Sequence, residues 1–346
     1  MSISTDPPTT SGAQVGAVPW SLIRWVGGGA VLAVVIWRLG TGPVLAGLES
    51  IDLRTLSLAL GIGVLTTFCS AWRWSLVARG LGIPLSLRTA VAACYRAQFL
   101  NTTLPGGVLG DVHRGVLHGR EADDVGRGLR AVGWERAAGQ VVFVGLALLT
   151  LLGLPSPVQG WIPVACVALV AVVVIVWLVM SRWTGADGGR WARVVSSAAD
   201  DLRAGLGPRT VWPKVLLTSV VVAVGHAATF VIAARATGTT AATVDMLPIA
   251  VLVLLAMVVP LNVGGWGPRE GMAAWAFAAA GLGAAQGFSA ATAYGVMAMV
   301  ATLPGALVLL TDVAGARARR VATTAISAKV VPGAALAESE KDAAGG

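Results

Sequence analysis

The sequence predicts an all-α membrane protein, a polytopic helical bundle of about eight spans with one or two re-entrant helix-loop elements. Hydrophobic residues make up 56% of the 346 residues and charged residues only 12%, whereas a soluble domain carries about 25% charged residues. Mean hydropathy is +0.78. Residues 137–181 and 271–311 contain no Asp, Glu, Lys, Arg or His, and each run is long enough for two spans of about 20 residues. Because backbone groups in hydrocarbon must be hydrogen-bonded within the protein, these runs are expected to be helical.

The chain divides into three parts. Residues 1–19 are rich in Ser, Thr, Pro and Gly and are expected to form a disordered cytoplasmic lead. Residues 20–312 form one transmembrane domain, and residues 313–346 form a polar cytoplasmic tail. A signal peptide over residues 20–48 is the competing interpretation of the first apolar segment, although the region before it contains few basic residues.

The apolar segments predict spans near residues 22–39, 56–78, 134–153, 161–180, 213–235, 244–261, 271–286 and 289–311. Breaks near residues 154–160 and 281–287 turn the two long uncharged runs into helical hairpins.

Basic residues gather in segments 114–136, 182–214 and 317–341, whereas connections 154–160, 237–244 and 281–289 contain no Lys or Arg. This asymmetry predicts a multi-pass protein of the cell membrane with both termini in the cytoplasm, and it explains the net charge of +8 without a nucleic-acid partner. The predicted spans bring both termini to the cytoplasm only if residues 89–110 enter and leave the membrane on the same side, as a re-entrant element. The alternative that these residues form a true span is not excluded by the sequence. The segment 182–214 is long enough for an interfacial helix.

Two segments combine Gly, Pro and charge within the apolar pattern, and they share the spacing Pro-x4-Gly-x3-Arg. The matching residues are Pro105, Gly110 and Arg114 in the first segment, and Pro260, Gly265 and Arg269 in the second. A weak internal repeat of interrupted helices is typical of the central site of a transporter.

The chemistry of these segments suits an anionic ligand. Glycines allow a ligand to approach the backbone, and an arginine offers a bidentate fork to phosphate. Asp111 and Glu270 are candidate counter-ions that pair with the arginines when the site is empty. Arg96 is a further candidate, because a lone charge within an apolar stretch is costly unless it is paired or hydrated. The alternative is that both segments are hinges whose charges snorkel to the membrane surface.

Metal and cofactor sites are not predicted. Cys69, Cys94 and Cys166 have no paired spacing, and His113 and His118 are five residues apart and do not share a helix face.

At these motifs the sequence resembles the transmembrane region of the lysylphosphatidylglycerol synthase and flippase family, over residues 20–312. The residues that carry the resemblance are Asn101, Pro105, Gly107, Gly110, Asp111, Arg114, Glu135, Arg136, Pro260, Gly264, Gly265, Gly267 and Glu270. The resemblance implies a bundle with re-entrant elements that moves an anionic or modified lipid between leaflets. Some relatives carry a fused cytoplasmic transfer domain, which is not expected here because residues 313–346 are short and polar.

The leading hypothesis is therefore a flippase or transporter of an anionic lipid or a polyprenyl-phosphate-linked glycolipid. The sequence favours a transporter over an enzyme. Its candidate headgroup-binding residues are those that carry the resemblance, together with Arg269 and Arg96. Two alternatives stay open: a membrane-embedded transferase with Asp111, His113 or Glu270 as base, and a non-catalytic subunit of a separate glycosyl- or aminoacyl-transferase of the cell envelope. The expected partners are membrane lipids and, in the last case, that enzyme.

Overall fold

The structure is a computed structural model that describes residues 33–34, 36–104, 107–161, 163–164, 167, 171, 174–175, 178, 190–258 and 266–314; side chains are described from residue 196 onward in the segment that begins at 190. The α-helices with defined bounds are α1 (Gly42–Glu49), α2 (Leu53–Gly80), α3 (Leu87–Thr103), α4 (Leu109–Glu121), α5 (Val125–Gly153), α6 (Arg190–Gly205), α7 (Trp212–Ala236), α8 (Thr243–Ala256), α9 (Pro268–Ala279) and α10 (Ala284–Thr302). A turn at Leu303 separates α10 from a helical continuation to Ala314. The prediction of an all-helical membrane bundle is confirmed.

Among the described residues, four helices are long and apolar enough to cross a bilayer, namely α2, α5, α7 and α10 with its continuation. They contain the predicted spans 56–78, 134–153, 213–235 and 289–311. A helix rises about 1.5 Å per residue, so the 28 residues of α2 reach well beyond a hydrocarbon core of about 30 Å. The predicted spans 22–39 and 161–180 lie largely outside the described residues.

The last predicted break, residues 281–287, overlaps the turn but is too long. The chain turns at residues 280–283, where Gly281 and Gly283 adopt positive φ angles of 74° and 91°, and α10 already begins at Ala284. Gly287 was taken as part of the break, but it lies inside α10. A Cβ atom there would come within 2.2 Å of the Ala273 carbonyl oxygen. This glycine lets α9 and α10 approach closely, and a sequence pattern alone does not separate that role from a turn.

Helix lengths repeat along the chain as long, short, short, long. Helices α2 to α5 have 28, 17, 13 and 29 residues, and α7 to α10 have 25, 14, 12 and 19 residues. At about 1.5 Å per residue, α8 and α9 extend only about 21 and 18 Å. The predicted spans 244–261 and 271–286 are therefore replaced by two short helices joined by a segment that contains residues 259–265, which lie outside the described residues.

The two halves of this repeat are inverted relative to each other. Arg73 of α2 bonds to Ser219 of α7, while Thr66 lies beside Gly225, so α2 and α7 run antiparallel. His226 contacts Tyr294, and Thr237 contacts Gln286, so α10 runs antiparallel to α7 in turn. As a result, the first pair of short helices starts and finishes at one end of the bundle, and the second pair at the opposite end.

We call these ends the basic end and the neutral end. Arg79, Arg88, Arg120, Arg127 and Lys214 lie near the helix termini of the basic end. Connections 237–242 and 280–283, at the neutral end, contain no charged residue, and at the helix termini there Arg54 and Arg235 are balanced by Asp52 and Asp245. The amphipathic helix α6 also lies at the basic end, where Arg130 of α5 pairs with its Asp201 at 2.6 Å; a helix was predicted in this segment.

The first hairpin, α3 and α4, is closed by close backbone packing. The amide of Gly110 donates to the Asn101 side-chain oxygen at 2.8 Å, and further along, Arg114 faces Cys94 at 3.4 Å. A Cβ atom on Gly110 would come within 2.1 Å of the Ala97 carbonyl oxygen. The two limbs are thus antiparallel, and the returning limb is a helix that ends at Glu121. The hairpin is therefore longer than the re-entrant element predicted over residues 89–110, because Gly110 lies at its tip.

The second hairpin, α8 and α9, packs against α7 and α10 around an apolar core. Phe230, Phe277 and Tyr294 meet there with ring centroids about 6 Å apart. A separate core around Trp74 joins α2, α3 and α5. Each half of the repeat therefore has its own apolar core, and a buried arginine contacts a ring of each: Arg114 contacts Trp74, and Arg269 contacts Tyr294.

Candidate functional site

A cavity of about 730 Å³ lies between the tips of the two hairpins, enclosed by α2, α5, α7 and α10. Gly107 and Val108 line it from the first tip, and Met257, Val258 and Trp266 line it from the second. The hairpins enter from opposite ends, and residues of both line this one cavity. Gly107 and Gly267 have positive φ angles of 61° and 123°, which favour glycine at both tips.

Glu135 lies at the centre of the charged cluster on one wall of this cavity. It is 1% exposed, and both of its carboxylate oxygens accept hydrogen bonds from arginines. Arg73 donates through Nε to Oε1 at 2.9 Å, and Arg114 donates through Nη2 to Oε2 at 2.7 Å. A buried carboxylate is stable only when it is paired and hydrogen-bonded in this way.

Asp111 is the second carboxylate of this wall. Arg114 donates to its Oδ1 through Nε at 3.0 Å, and Arg136 donates to the same oxygen at 2.7 Å. The Asn101 amide donates to Oδ2 at 3.0 Å. Since Asn101 also accepts from the Gly110 amide, it connects the turn of the hairpin to the charged cluster.

Arg114 contacts an aromatic ring in addition to its hydrogen-bond partners. Its guanidinium lies 4.5 Å from the centre of the Trp74 ring in addition to its bonds to Asp111, Glu135 and Cys94. A cation over an aromatic face gains about 0.5–2 kcal/mol. The side chain is 2% exposed, so its charge is fixed in place within the protein.

The opposite wall holds the pair Arg269 and Glu270. Arg269 Nε donates to Glu270 Oε1 at 2.8 Å, and the amide of Gly267 donates to Oε2 at 2.7 Å. The rings of Trp266 and Tyr294 lie 5.2 and 5.4 Å from the Arg269 guanidinium. Glu270 therefore caps α9 and orients Arg269, which lines the cavity.

The repeat is better matched by its acids than by its arginines. Asp111 is the third residue of α4, and Glu270 is the third residue of α9. The Pro-x4-Gly-x3-Arg spacing had matched Arg114 to Arg269, but Arg114 is the sixth residue of its helix and Arg269 is the second. The equivalence drawn from that spacing is therefore wrong by one helical turn. Both expected acid–arginine pairs, Asp111 with Arg114 and Glu270 with Arg269, are present.

Arg96 does not line the cavity. It points to the continuation of α10, where it is ion-paired with Asp312, and its side chain is 12% exposed. The remaining candidates Asn101, Gly107, Gly110, Asp111, Arg114, Glu135, Arg136, Gly267, Arg269 and Glu270 lie in or directly behind the walls of the cavity. Pro105, Pro260, Gly264 and Gly265 lie outside the described residues.

Sequence reasoning missed Arg73, Trp74 and Ser219. Arg73 is the only charged residue between Arg54 and Arg79, and it falls within the predicted span 56–78. Glu135 is likewise the only acidic residue of the predicted span 134–153. An intramembrane arginine and an intramembrane glutamate each need a partner, and that requirement could have paired the two.

A comparison with known protein families gives one match. The family model described as the lysylphosphatidylglycerol synthase TM region matches residues 25–305. No curated protein and no solved structure matches the chain. Since the match covers most of the 346 residues, the chain belongs to the lysylphosphatidylglycerol synthase transmembrane-region family.

Proposed function

We propose that this protein moves an anionic lipid between the leaflets of a membrane. The observation that supports the proposal is the charge of the buried cavity. Four arginines, Arg73, Arg114, Arg136 and Arg269, line it, and three carboxylates, those of Asp111, Glu135 and Glu270, pair with them. Among the described residues one net positive charge remains, which a single phosphodiester would neutralise.

The uncharged part of the wall suits the rest of a lipid. Ile62, Phe143, Val222, Leu254 and Met297 line the cavity beside the arginines. A headgroup can therefore meet charge while its chains stay against apolar side chains. A volume of about 730 Å³ is within the range of about 300–1,000 Å³ found for small-molecule sites, enough for a headgroup and the first part of its chains.

The inverted arrangement of the hairpins supports movement rather than simple binding. Inverted repeats with broken helices and a site at their interface are the architecture of many alternating-access transporters. Small opposite displacements of the two hairpin tips would open the cavity first to one end and then to the other. Asp111 and Glu270 would neutralise Arg114 and Arg269 in the empty state, and a phosphate would replace them during transport.

In this proposal the basic end faces the cytoplasm of a cell membrane, because Lys and Arg collect on the cytoplasmic side of membrane proteins. The cargo class is an anionic phospholipid or a polyprenyl-phosphate-linked glycolipid, since both present a phosphate next to apolar chains.

The proposal predicts movement of headgroup-labelled phosphatidylglycerol across proteoliposomes that contain the wild-type protein. Arg114→Ala and Arg269→Ala are each expected to lower the rate at least about tenfold, because each removes a fixed charge from the wall of the cavity. Loss of a headgroup label to an external quencher or reductant measures the rate.

Arg130→Ala serves as the matched control, since Arg130 pairs with Asp201 at the basic end, away from the cavity, and its rate should stay close to that of the wild type. Folded wild-type protein that moves no phosphatidylglycerol would contradict the proposal, as would folded Arg114 and Arg269 variants with wild-type rates.

A further inference from the structure

Helices α5 and α10 are the last long helices of the two halves of the repeat, but they differ in continuity. α5 runs unbroken for 29 residues, whereas α10 ends at Thr302 and a turn at Leu303 separates it from the continuation. The amide of Leu303 donates to the Val300 carbonyl oxygen at 3.1 Å. Pro304 follows and has no N–H with which to extend the α-helical bonding. α10 therefore contains a built-in point of bending.

The break lies at the border of the cavity. Met299, Ala301 and Thr302, at the end of α10, line the cavity, whereas residues 303–314 contribute no lining residue. Sharp helix kinks usually occur at proline, and the hinges of moving proteins are often a few residues at helix ends. Bending at the break would therefore move the continuation without displacing the part of the cavity wall that α10 forms.

The continuation lies directly against the backbone of the first hairpin. Gly305 is buried, and a Cβ atom there would come within 2.1 Å of the Tyr95 carbonyl oxygen and 2.9 Å of the Phe99 Cβ atom. Tyr95 and Phe99 belong to α3, so no side chain fits between this helix and the start of the continuation. The two elements are in close contact immediately after the break.

A charged contact joins the same two elements nearer the basic end. Arg96 of α3 is ion-paired with Asp312, which lies about two helical turns beyond Gly305. His113 of α4 is close enough for the charges of both residues to act on it, and none of these three side chains lines the cavity. The continuation is therefore attached to the first hairpin at two levels.

The ion pair is weaker than those of the cavity. Arg96 donates to Asp312 through Nη1, and its Nε has no hydrogen-bond partner within the described residues. Arg114, by contrast, uses all three of its nitrogens. The Asp312 side chain is 48% exposed, and exposed ion pairs contribute little to stability. The pair can therefore break and re-form without unfolding the protein.

The second hairpin is held differently. Val251 and Leu252 of α8 pack against Ala147 and Leu151 of α5 in an apolar cluster, and α5 is unbroken at these positions. The hairpin of the neutral end thus lies against a continuous helix. The hairpin of the basic end lies against a helical segment that can bend relative to the rest of its helix.

We infer that the first hairpin and the continuation of α10 move together as a gate at the basic end, pivoting at Leu303 and Pro304, and that the ion pair of Arg96 with Asp312 couples the two. The inference rests on the proposed transport of a lipid, which requires the cavity to open. Arg96 and Asp312 are positioning residues: they do not contact the cargo, but they set the position of the hairpin whose other face carries Asp111. Bending would open the cavity to the basic end while the second hairpin keeps the neutral end closed.

Pulsed electron paramagnetic resonance on the full-length protein tests this movement. Spin labels are introduced as an unnatural amino acid, which leaves the three native cysteines intact, at the exposed positions Arg120 of α4, Leu310 of the continuation and Leu217 of α7. In nanodiscs of equal phosphatidylglycerol and phosphatidylcholine, the distances from position 217 to positions 120 and 310 should each show two populations with matching weights. The distance between positions 120 and 310, the hairpin–continuation distance, should stay single.

Variants of the ion pair test the coupling. Arg96→Gln should broaden the hairpin–continuation distance without lowering the unfolding midpoint, whereas Arg96→Lys should keep it narrow because the charge remains. Asp312→Asn should broaden it as Arg96→Gln does, and the double variant should broaden it no further, since each single change already removes the pair. Arg203→Gln is the matched control, because Arg203 pairs with Asp200 inside α6; its distances should equal those of the wild type.

Pro304→Ala tests the pivot and leaves the ion pair untouched. It restores an N–H at the break, so the helix can continue and bending becomes harder. The two populations should collapse towards one, and movement of phosphatidylglycerol in proteoliposomes should slow at least about fivefold, since the opening of a gate can limit turnover. Pro213→Ala is the matched control, because Pro213 is an exposed proline at the start of α7, which continues unbroken.

The outcomes separate this inference from the proposed function. A wild-type hairpin–continuation distance with two populations would overturn the inference, as would folded Arg96→Gln or Pro304→Ala proteins that behave as the wild type. If the wild type moves lipid while all three distances stay single, the function stands and the gate does not. If the distances change as expected but no lipid moves, the gate stands and the transport proposal fails.

Discussion

Replacing Glu135 by glutamine is expected to destabilise the protein by about 3–5 kcal/mol, the usual cost of removing one partner from a buried ion pair. Glutamine preserves the shape of the side chain but removes the negative charge that Arg73 and Arg114 share. Both arginines are buried, so neither can turn to water. Arg114 keeps Asp111 as an acidic partner, whereas Arg73 keeps only the Ser219 hydroxyl. Unfolding of the purified protein in mixed micelles, titrated with a denaturing detergent, measures the change.

Glu121→Gln is the matched control, because Glu121 is an exposed glutamate at the end of α4; its effect should stay within about 0.5 kcal/mol. A double-mutant cycle sharpens the test. Arg73→Gln combined with Glu135→Gln should cost less than the sum of the two single changes, because the double variant leaves one fewer unpaired charge. A Glu135→Gln protein as stable as the wild type would show that the cluster is not a buried ion-pair network.

Substituting Gly110 by valine is expected to open the first hairpin and to abolish lipid movement. Even the Cβ atom would come within 2.1 Å of the Ala97 carbonyl oxygen and 2.7 Å of the Ala97 Cα atom. These are backbone atoms of α3, so the clash cannot be relieved by a side-chain rotation. Overpacking of this kind costs about 1–3 kcal/mol. Separation of α3 and α4 would also break the bond from the Gly110 amide to Asn101, and with it the support of Asp111.

Gly145→Val on α5 is the comparison, since a Cβ atom there meets nothing within 4 Å. Protease accessibility of the hairpin, together with the unfolding midpoint, distinguishes the two variants. Equal stability and equal transport in both would mean that α3 and α4 do not pack as described.

The fold class and the long spans were within reach of the sequence because the bilayer imposes them. An uncharged run such as 271–311 must be helical because its backbone groups have no water to bond in hydrocarbon. The charge asymmetry predicts which helix ends lie on the same side. The charge asymmetry also predicted a re-entrant element over residues 89–110, whereas the chain returns through α4 and ends the hairpin at Glu121. The resemblance to the family was confirmed over residues 25–305.

Local roles of glycine were less predictable. Gly281 ends a helix, and Gly287 lies within one and permits close packing against Ala273, yet both are glycines in an apolar run. The difference depends on a neighbouring helix that the sequence pattern does not specify. The same reason explains the one-turn error in matching Arg114 to Arg269, because helix starts depend on the packing of each hairpin.

The site was predicted in part. Asp111, Arg114, Glu135, Arg136, Arg269 and Glu270 were expected together, and the structure brings them to one cavity. Arg96 was expected with them on the strength of its isolation in the sequence, but its partner is Asp312, 216 residues away along the chain. Arg73 was missed because its partner, Glu135, is also distant along the chain. Pairing across such distances is a property of the tertiary structure.

The most direct test of the cavity as an anionic-lipid site is photo-crosslinking from within it. Benzoylphenylalanine placed at Val108, an exposed residue of the first tip that lines the cavity, would be compared with the same group at Leu149. Leu149 is an exposed apolar residue of α5 that does not line the cavity. In vesicles of equal phosphatidylglycerol and phosphatidylcholine, position 108 should capture mainly phosphatidylglycerol and position 149 both lipids in similar amounts. Capture of no lipid at position 108, or of both lipids in the ratio found at position 149, would contradict the account.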